Sequence, residues 1–122
     1  MMNVAANLVR NATLLPDKVA IRFGERTTTY AEFDRAANQV ANGLRALGIG
    51  RGDKVALACP NLPHFPIAYY GILKLGAVVV PLNILLKAPE IAYHLSDSDA
   101  RVFLCFEGGA ELPMGQEGWD AF

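Results

Sequence analysis

Several residues in this 122-residue chain are of types that do chemistry, and their neighbours decide what each can do. Gly48-Ile49-Gly50-Arg51-Gly52 has the glycine density of a phosphate-binding loop. Such loops follow a strand and open a helix, so that the phosphate meets the helix N-terminus. This stretch follows a helical pattern and precedes a strand pattern, so it reads as a helix stop and tight turn. Lys18, Lys54, Lys74 and Lys87 lack the Gly-rich approach and the following Ser or Thr of a P-loop. Glu90 and His94 stand four apart, the spacing of neighbours on one helix face, but no third ligand accompanies them, and His64 is equally isolated. Ser96 and Ser98 lie in Ser96-Asp97-Ser98-Asp99, which reads as a turn and has no Gly-x-Ser-x-Gly elbow to raise a nucleophile. Cys59 and Cys105 form no CxxC pair and read as two buried, reduced thiols. No residue of the chain is therefore assigned a catalytic, cofactor-binding or metal-binding role.

The elements that would have to position such residues are easier to read. Val4, Leu8, Ala12 and Leu15 recur near helical spacing, predicting a helix over 2–15 that stops at Pro16. Val19 to Phe23 and Thr27 to Tyr30 flank Gly24-Glu25-Arg26, a hairpin signature. Thr29 and Glu32 form a capping-box pattern. The apolar stripe Phe33, Ala36, Ala37, Val40, Ala41, Leu44 and Leu47 continues from it to Gly48. Lys54 to Cys59 lacks polar alternation, as expected of a strand covered on both faces. Asn61 and Pro63 open a helix that carries Phe65, Ala68, Tyr69, Ile72 and Leu75 and ends at Gly76. Ala77 to Val80 is the next strand, 89–95 a short helix, and Arg101 to Cys105 a third strand. Alternating strands and helices imply an α/β fold: a parallel sheet with right-handed crossovers, flanking helices and an N-terminal hairpin. Residues 106–122 are left unassigned.

Composition narrows the partners. Eleven Lys and Arg against twelve Asp and Glu give a net charge of −1, with no basic stripe to neutralise a row of phosphates, so nucleic acid is not expected. The apolar run Ala77 to Leu86 is broken by Pro81 and Asn83 and falls well short of the ~20 residues of a membrane span. The N-terminus has no basic residue ahead of its apolar part, the reverse of a secretory signal, and a cytoplasmic protein is expected.

Three linked blocks carry a resemblance. Thr28-Thr29-Tyr30-Ala31-Glu32-Phe33 resembles the first core motif of the adenylate-forming (AMP-binding) enzymes, which include the acyl-CoA synthetases. Leu73-Lys74-Leu75-Gly76-Ala77-Val78-Val79-Val80-Pro81-Leu82-Asn83 is similar to their second core motif. Between them lie Gly52-Asp53-Lys54-Val55 and Asn61 at matching separations, and Glu90 to Ser98 continues the likeness downstream. It covers about 4–105, and Pro81-Leu82-Asn83 is more similar to the fatty acyl-CoA synthetase branch than to the peptide-synthetase branch. The resemblance implies a parent enzyme in which a fatty acid attacks ATP with Mg²⁺ present, giving an acyl-adenylate, after which coenzyme A displaces AMP. It implies that this chain is the N-terminal segment of that ligase domain. The family's Ser/Thr/Gly-rich phosphate loop, its nucleotide-holding segments and its C-terminal domain have no counterpart within 1–122, so the segment alone is expected to bind no cofactor and to be inactive. Its expected partner is the remainder of the parent, and the isolated piece is expected to self-associate. The competing readings are a naturally short α/β binding or interaction module and a nucleotide-binding response-type α/β domain. The second lacks the acidic or Gly-rich residues it needs at strand C-termini.

Overall fold

A computed structural model describes residues 5–59 and 62–105. The chain runs α1 (Ala5–Leu14), β1 (Val19–Phe23), β2 (Arg26–Thr29), α2 (Tyr30–Ala46), β3 (Lys54–Ala58), α3 (His64–Lys74), β4 (Val78–Pro81), α4 (Ala88–Ser98), β5 (Val102–Cys105). The strands form two sheets: an antiparallel β1–β2 hairpin, and a parallel sheet in the order β4-β3-β5. The expected α/β architecture is therefore present.

α2 begins where the sequence places it. The Glu32 N–H donates to Thr29 Oγ1 (3.2 Å) and the Thr29 N–H donates to Glu32 Oε1 (2.9 Å). Both groups would otherwise lack partners in the first turn. From that start Phe33, Ala37, Ala41 and Leu44 form the buried stripe. Phe33 and Ala37 join Leu8 of α1 in one core cluster, against which Ile21 of the hairpin and Tyr70 of α3 pack. Leu44 joins Ile49, Val55, Ile72 and Ala77 in a second cluster, which lies between α2, α3 and the parallel sheet.

α2 and α3 pack closely because of Gly71. A Cβ on Gly71 would stand 2.6 Å from Val40 Cγ1 and 3.0 Å from the Ala37 carbonyl oxygen. Lys74 Nζ donates to Asp34 Oδ1 at 2.5 Å across the same two helices.

β3 is the central strand, and Val55 to Ala58 are all buried. Val55 lies opposite Val79 on one side and Val102 on the other, while Ala58 lies opposite Cys105. Side chains alternate across a pleat. Val55, Val79, Val102 and Leu104 therefore meet the α2–α3 layer, in keeping with their common core cluster.

Some boundaries differ from expectation. α4 starts at Ala88 with Pro89 inside its first turn, where a missing N–H costs nothing. It also continues through Ser98, so Ser96-Asp97-Ser98 is the last turn of a helix and not a separate loop. Asp99 ends the helix in the left-handed region (φ 58°), which Asp tolerates better than most residues, and the Ala100 N–H returns to the Leu95 carbonyl at 3.3 Å. The turn propensity of the run is thus realised only at its last residue, Asp99. Arg26 belongs to β2, leaving Gly24-Glu25 as the hairpin turn. Pro81 is the last residue of β4 rather than the residue that stops it, and the Leu82 N–H donates to the Leu57 carbonyl at 2.9 Å. The start of the first expected helix, the residue Asn61 and the stretch 106–122 lie outside the described residues.

Candidate functional site

The strongest chemical candidate in the sequence was the loop 48–52, and its backbone groups are already engaged. The Gly50 N–H donates to Asp53 Oδ2 (2.8 Å) and the Gly52 N–H to the Gly76 carbonyl (3.0 Å). Gly48 and Gly52 hold φ of 89° and 82°, values that L side chains rarely adopt, so the glycines are accounted for by turn geometry. The loop leads into the N-terminal end of β3, whereas ligands of open α/β sheets sit beyond the carboxyl ends of the strands.

Asp53 is tied down from two directions. Besides the Gly50 N–H, it accepts from Arg101 Nη1 at 3.1 Å, and the same guanidinium reaches the Gly48 carbonyl at 3.4 Å. The Gly50 hydrogen bond chiefly, then Arg101, holds the Asp53 carboxyl below its ordinary range. The cluster joins the loop before β3 to the residue before β5. Sequence reading missed it, because Asp53 and Arg101 are 48 positions apart and no local pattern links them.

The carboxyl end of the sheet is where a ligand would be sought. Ala58, Asn83, Ile84, Leu86, Ile91, Phe103 and Cys105 line a crevice there that leaves no room for a water-sized sphere. Its wall is apolar apart from Asn83, whose Oδ1 accepts from the Leu85 N–H at 2.8 Å. Ile91, the buried residue of α4, fills this end. Cys105 stands on the wall opposite Ala58, and Cys59 follows Ala58 along β3. Both thiols are half-buried rather than fully buried as expected from the sequence. Burial pushes both upward from the ordinary thiol value, and the nearby Cys59 adds to the effect at Cys105. A raised thiol holds less thiolate at neutral pH, the opposite of what a nucleophile needs.

The remaining candidates stay dispersed. Glu90 and His94 are exposed on α4, where His94 meets the Tyr93 ring at 5.5 Å between centroids, and His64 is exposed at the first residue of α3. No three His, Cys, Asp or Glu side chains gather in a metal-binding group among the described residues. Lys74 is paired with Asp34, and Lys87 sits at the N-cap of α4. No helix among the described residues is long and apolar enough to cross a membrane.

The described residues form a three-stranded parallel sheet with α2 and α3 on one face, Ile91 of α4 against the other, and a hairpin at the N-terminal end. That arrangement defines an α/β sheet segment of the sort found at the start of adenylate-forming ligases. The chain belongs to the AMP-binding enzyme family, whose model matches residues 8–120. It is 44% identical over 108 residues to the long-chain-fatty-acid–CoA ligase FadD13 of Mycobacterium tuberculosis H37Rv, a match covering 85% of this chain and 21% of that protein. It is 43% identical over 96 residues to a feruloyl-CoA synthase of an Amycolatopsis species, covering 79% of this chain and 20% of the relative. Among solved structures, the inhibitor-bound N-terminal domain of FACL13 from Mycobacterium tuberculosis matches with a TM-score of 0.77 and 42% identity, over 84% of this chain and 26% of that one. The chain thus spans about a fifth of the length of these curated relatives. The blocks that carried the resemblance now have structural positions. Thr28 to Phe33 leads from β2 into the capped start of α2, and Leu73 to Asn83 runs from the end of α3 through β4.

Proposed function

We propose that the chain is the N-terminal framework of a fatty acyl-CoA ligase, supplying the first three parallel strands and one helical wall of its larger domain. The observation that carries this reading is the 44% identity to a long-chain-fatty-acid–CoA ligase across 85% of the chain. Pro81-Leu82-Asn83, at the end of β4, is more similar to the fatty acyl-CoA synthetase branch than to the peptide-synthetase branch, and a feruloyl-CoA synthase is nearly as similar to the chain as the fatty-acid ligase. The parent activates its carboxylate with ATP and Mg²⁺ and passes the acyl group to coenzyme A. The loop amides of Gly50 and Gly52 are spent on Asp53 and Gly76, and the crevice at the carboxyl end of the sheet admits no water-sized sphere. No step of the reaction is therefore assigned to a side chain of this segment. Its role is to fix strand positions and helix packing for groups contributed by the rest of a cytoplasmic parent.

Pyrophosphate exchange into ATP, measured with a panel of fatty and aromatic acids, tests the proposal. The chain by itself is expected to be silent. Reading the coding sequence past the codon for Phe122 should reveal a Ser/Thr/Gly-rich loop with its Lys, and the protein extended through that region should exchange fastest with fatty acids. Turnover by the chain alone would refute the framework role. Preference of the extended protein for aromatic acids would refute the substrate class.

A further inference from the structure

Cys59 and Cys105 have no role in the ligase reading, yet the fold brings them together. Ala58 lies opposite Cys105 in the parallel ladder, and Cys59 is the next residue along the chain from β3. Neighbouring strands lie about 4.8 Å apart and each residue advances about 3.3 Å, so the two cysteine Cα atoms stand about 6 Å apart. A disulfide spans Cα separations of about 4.4–6.8 Å. Charge on Cys59 is also felt at Cys105, which places the two sulfurs within electrostatic reach of each other. The chain has no other cysteine to compete for either partner.

Orientation is the remaining requirement. In an unbroken pleat Cys59 would face away from Cys105, because successive side chains alternate. β3 ends at Ala58, however, so Cys59 lies beyond the last ladder pair, and a change in its backbone angles leaves the register from Val55 to Ala58 in place. Both side chains are half-buried, which leaves part of each open to a small reagent. Burial raises both thiols. This slows attack at neutral pH without deciding the equilibrium, which depends on how well the folded chain holds the sulfurs together.

We propose that Cys59 and Cys105 are a modification site, at which a small-molecule disulfide converts the two thiols into an intramolecular disulfide tying the carboxyl end of β3 to that of β5. One cysteine thiolate attacks the reagent, whose S–S bond breaks, and a mixed disulfide forms with release of one small thiolate. The other cysteine thiolate then attacks the protein sulfur of that mixed disulfide and expels the second small thiolate. The protein loses two electrons and two protons, and the reagent leaves as two thiols. Ligands of open α/β sheets sit beyond the carboxyl ends of the strands, so the bridge fixes two of the three described ends on that side. The proposal uses no residue of the core motif blocks and does not rest on the ligase reading.

Incubation of the dilute full chain with oxidised glutathione at about pH 8.5, where more thiolate is present, tests it. The intact mass should fall by two hydrogens, both thiols should be lost to a chromogenic thiol reagent in denaturant, and a digest should contain a peptide linked through Cys59 and Cys105. Dithiothreitol should restore the starting mass. In concentrated urea, where the fold no longer holds the strands together, the ratio of bridged to mixed-disulfide chain should drop at least about tenfold. Cys59→Ser and Cys105→Ser should each stop at one glutathione adduct. The digest and the urea comparison use the unaltered chain, so they decide the matter even if a variant fails to fold. Glutathione retained on both cysteines, chains linked to one another, unmodified thiols, or equal bridging in urea would overturn the proposal.

Discussion

At the scale of single residues, Gly71 sets how closely α3 approaches α2. Its missing side chain leaves the space that Val40 Cγ1 occupies, and a Cβ there would lie 2.6 Å from that methyl group and 3.0 Å from a backbone oxygen. Backbone cannot rotate away as a side chain can, so Gly71→Ala must push the helices apart. Overpacking of this kind costs about 1–3 kcal/mol, more than the helix-propensity gain of about 1 kcal/mol from replacing Gly with Ala. Urea denaturation should therefore show a lower midpoint for Gly71→Ala despite the better helix former. Val40→Ala removes the nearest methyl groups, so the double variant should recover part of the loss, giving a coupling that two independent substitutions would not. A Gly71→Ala midpoint equal to or above that of the parent chain would refute the close-packing argument. The sequence offers no hint of this contact: Gly71 looks like an ordinary interruption of an apolar helix, and only the partner helix gives it a reason.

At the scale of elements, legibility follows how local the determinants are. The start of α2 was readable because both halves of its capping box lie within four residues, and β3 because its lack of alternation is a property of one short run. The end of α4 was misread because Ser and Asp favour turns in isolation, whereas here the helix persists to a left-handed Asp99. The Asp53–Arg101 contact was invisible, since it depends on β5 lying beside β3. This contact gives a pH prediction. The Asp53 carboxyl is held below its ordinary value, so its contribution to stability is present above the unfolded-state pKa and is lost as pH falls through the folded one. Asp53→Asn should lower the Tm at pH 7, and the gap from the parent chain should begin to close below about pH 4, where the unfolded carboxyl takes up its proton, and go on closing as pH falls through the lower folded value. Arg101 keeps 55% of its side chain exposed, so salt should narrow the same gap. A difference in Tm that stays constant from pH 7 to about pH 3 would show that hydrogen-bond shape, and not charge, matters at this position.

For the whole molecule, the absence of an assignable site in the sequence and the arrangement of the sheet have a common origin. A parallel α/β sheet collects ligands where several strand ends and the loops after them converge, and only three such ends are described here, closed over by Ile91 and an internally bonded Asn83. The family was nevertheless legible, because its early motifs are the caps and strand ends that make this framework fold. The same sheet predicts how the isolated chain behaves. Among the described residues β3 is paired on both sides, whereas β4 and β5 are each paired only to β3. β4 ends in Pro81, which offers no N–H to a new neighbour. β5 is Val102-Phe103-Leu104-Cys105, half-buried throughout, with no charge or proline to discourage pairing. Sedimentation velocity should therefore show the purified chain shifting to larger species as its concentration rises. A chain that stays monomeric at every concentration and melts in one cooperative step would mean that β5 is already covered, and that this segment is more self-sufficient than a ligase framework needs to be.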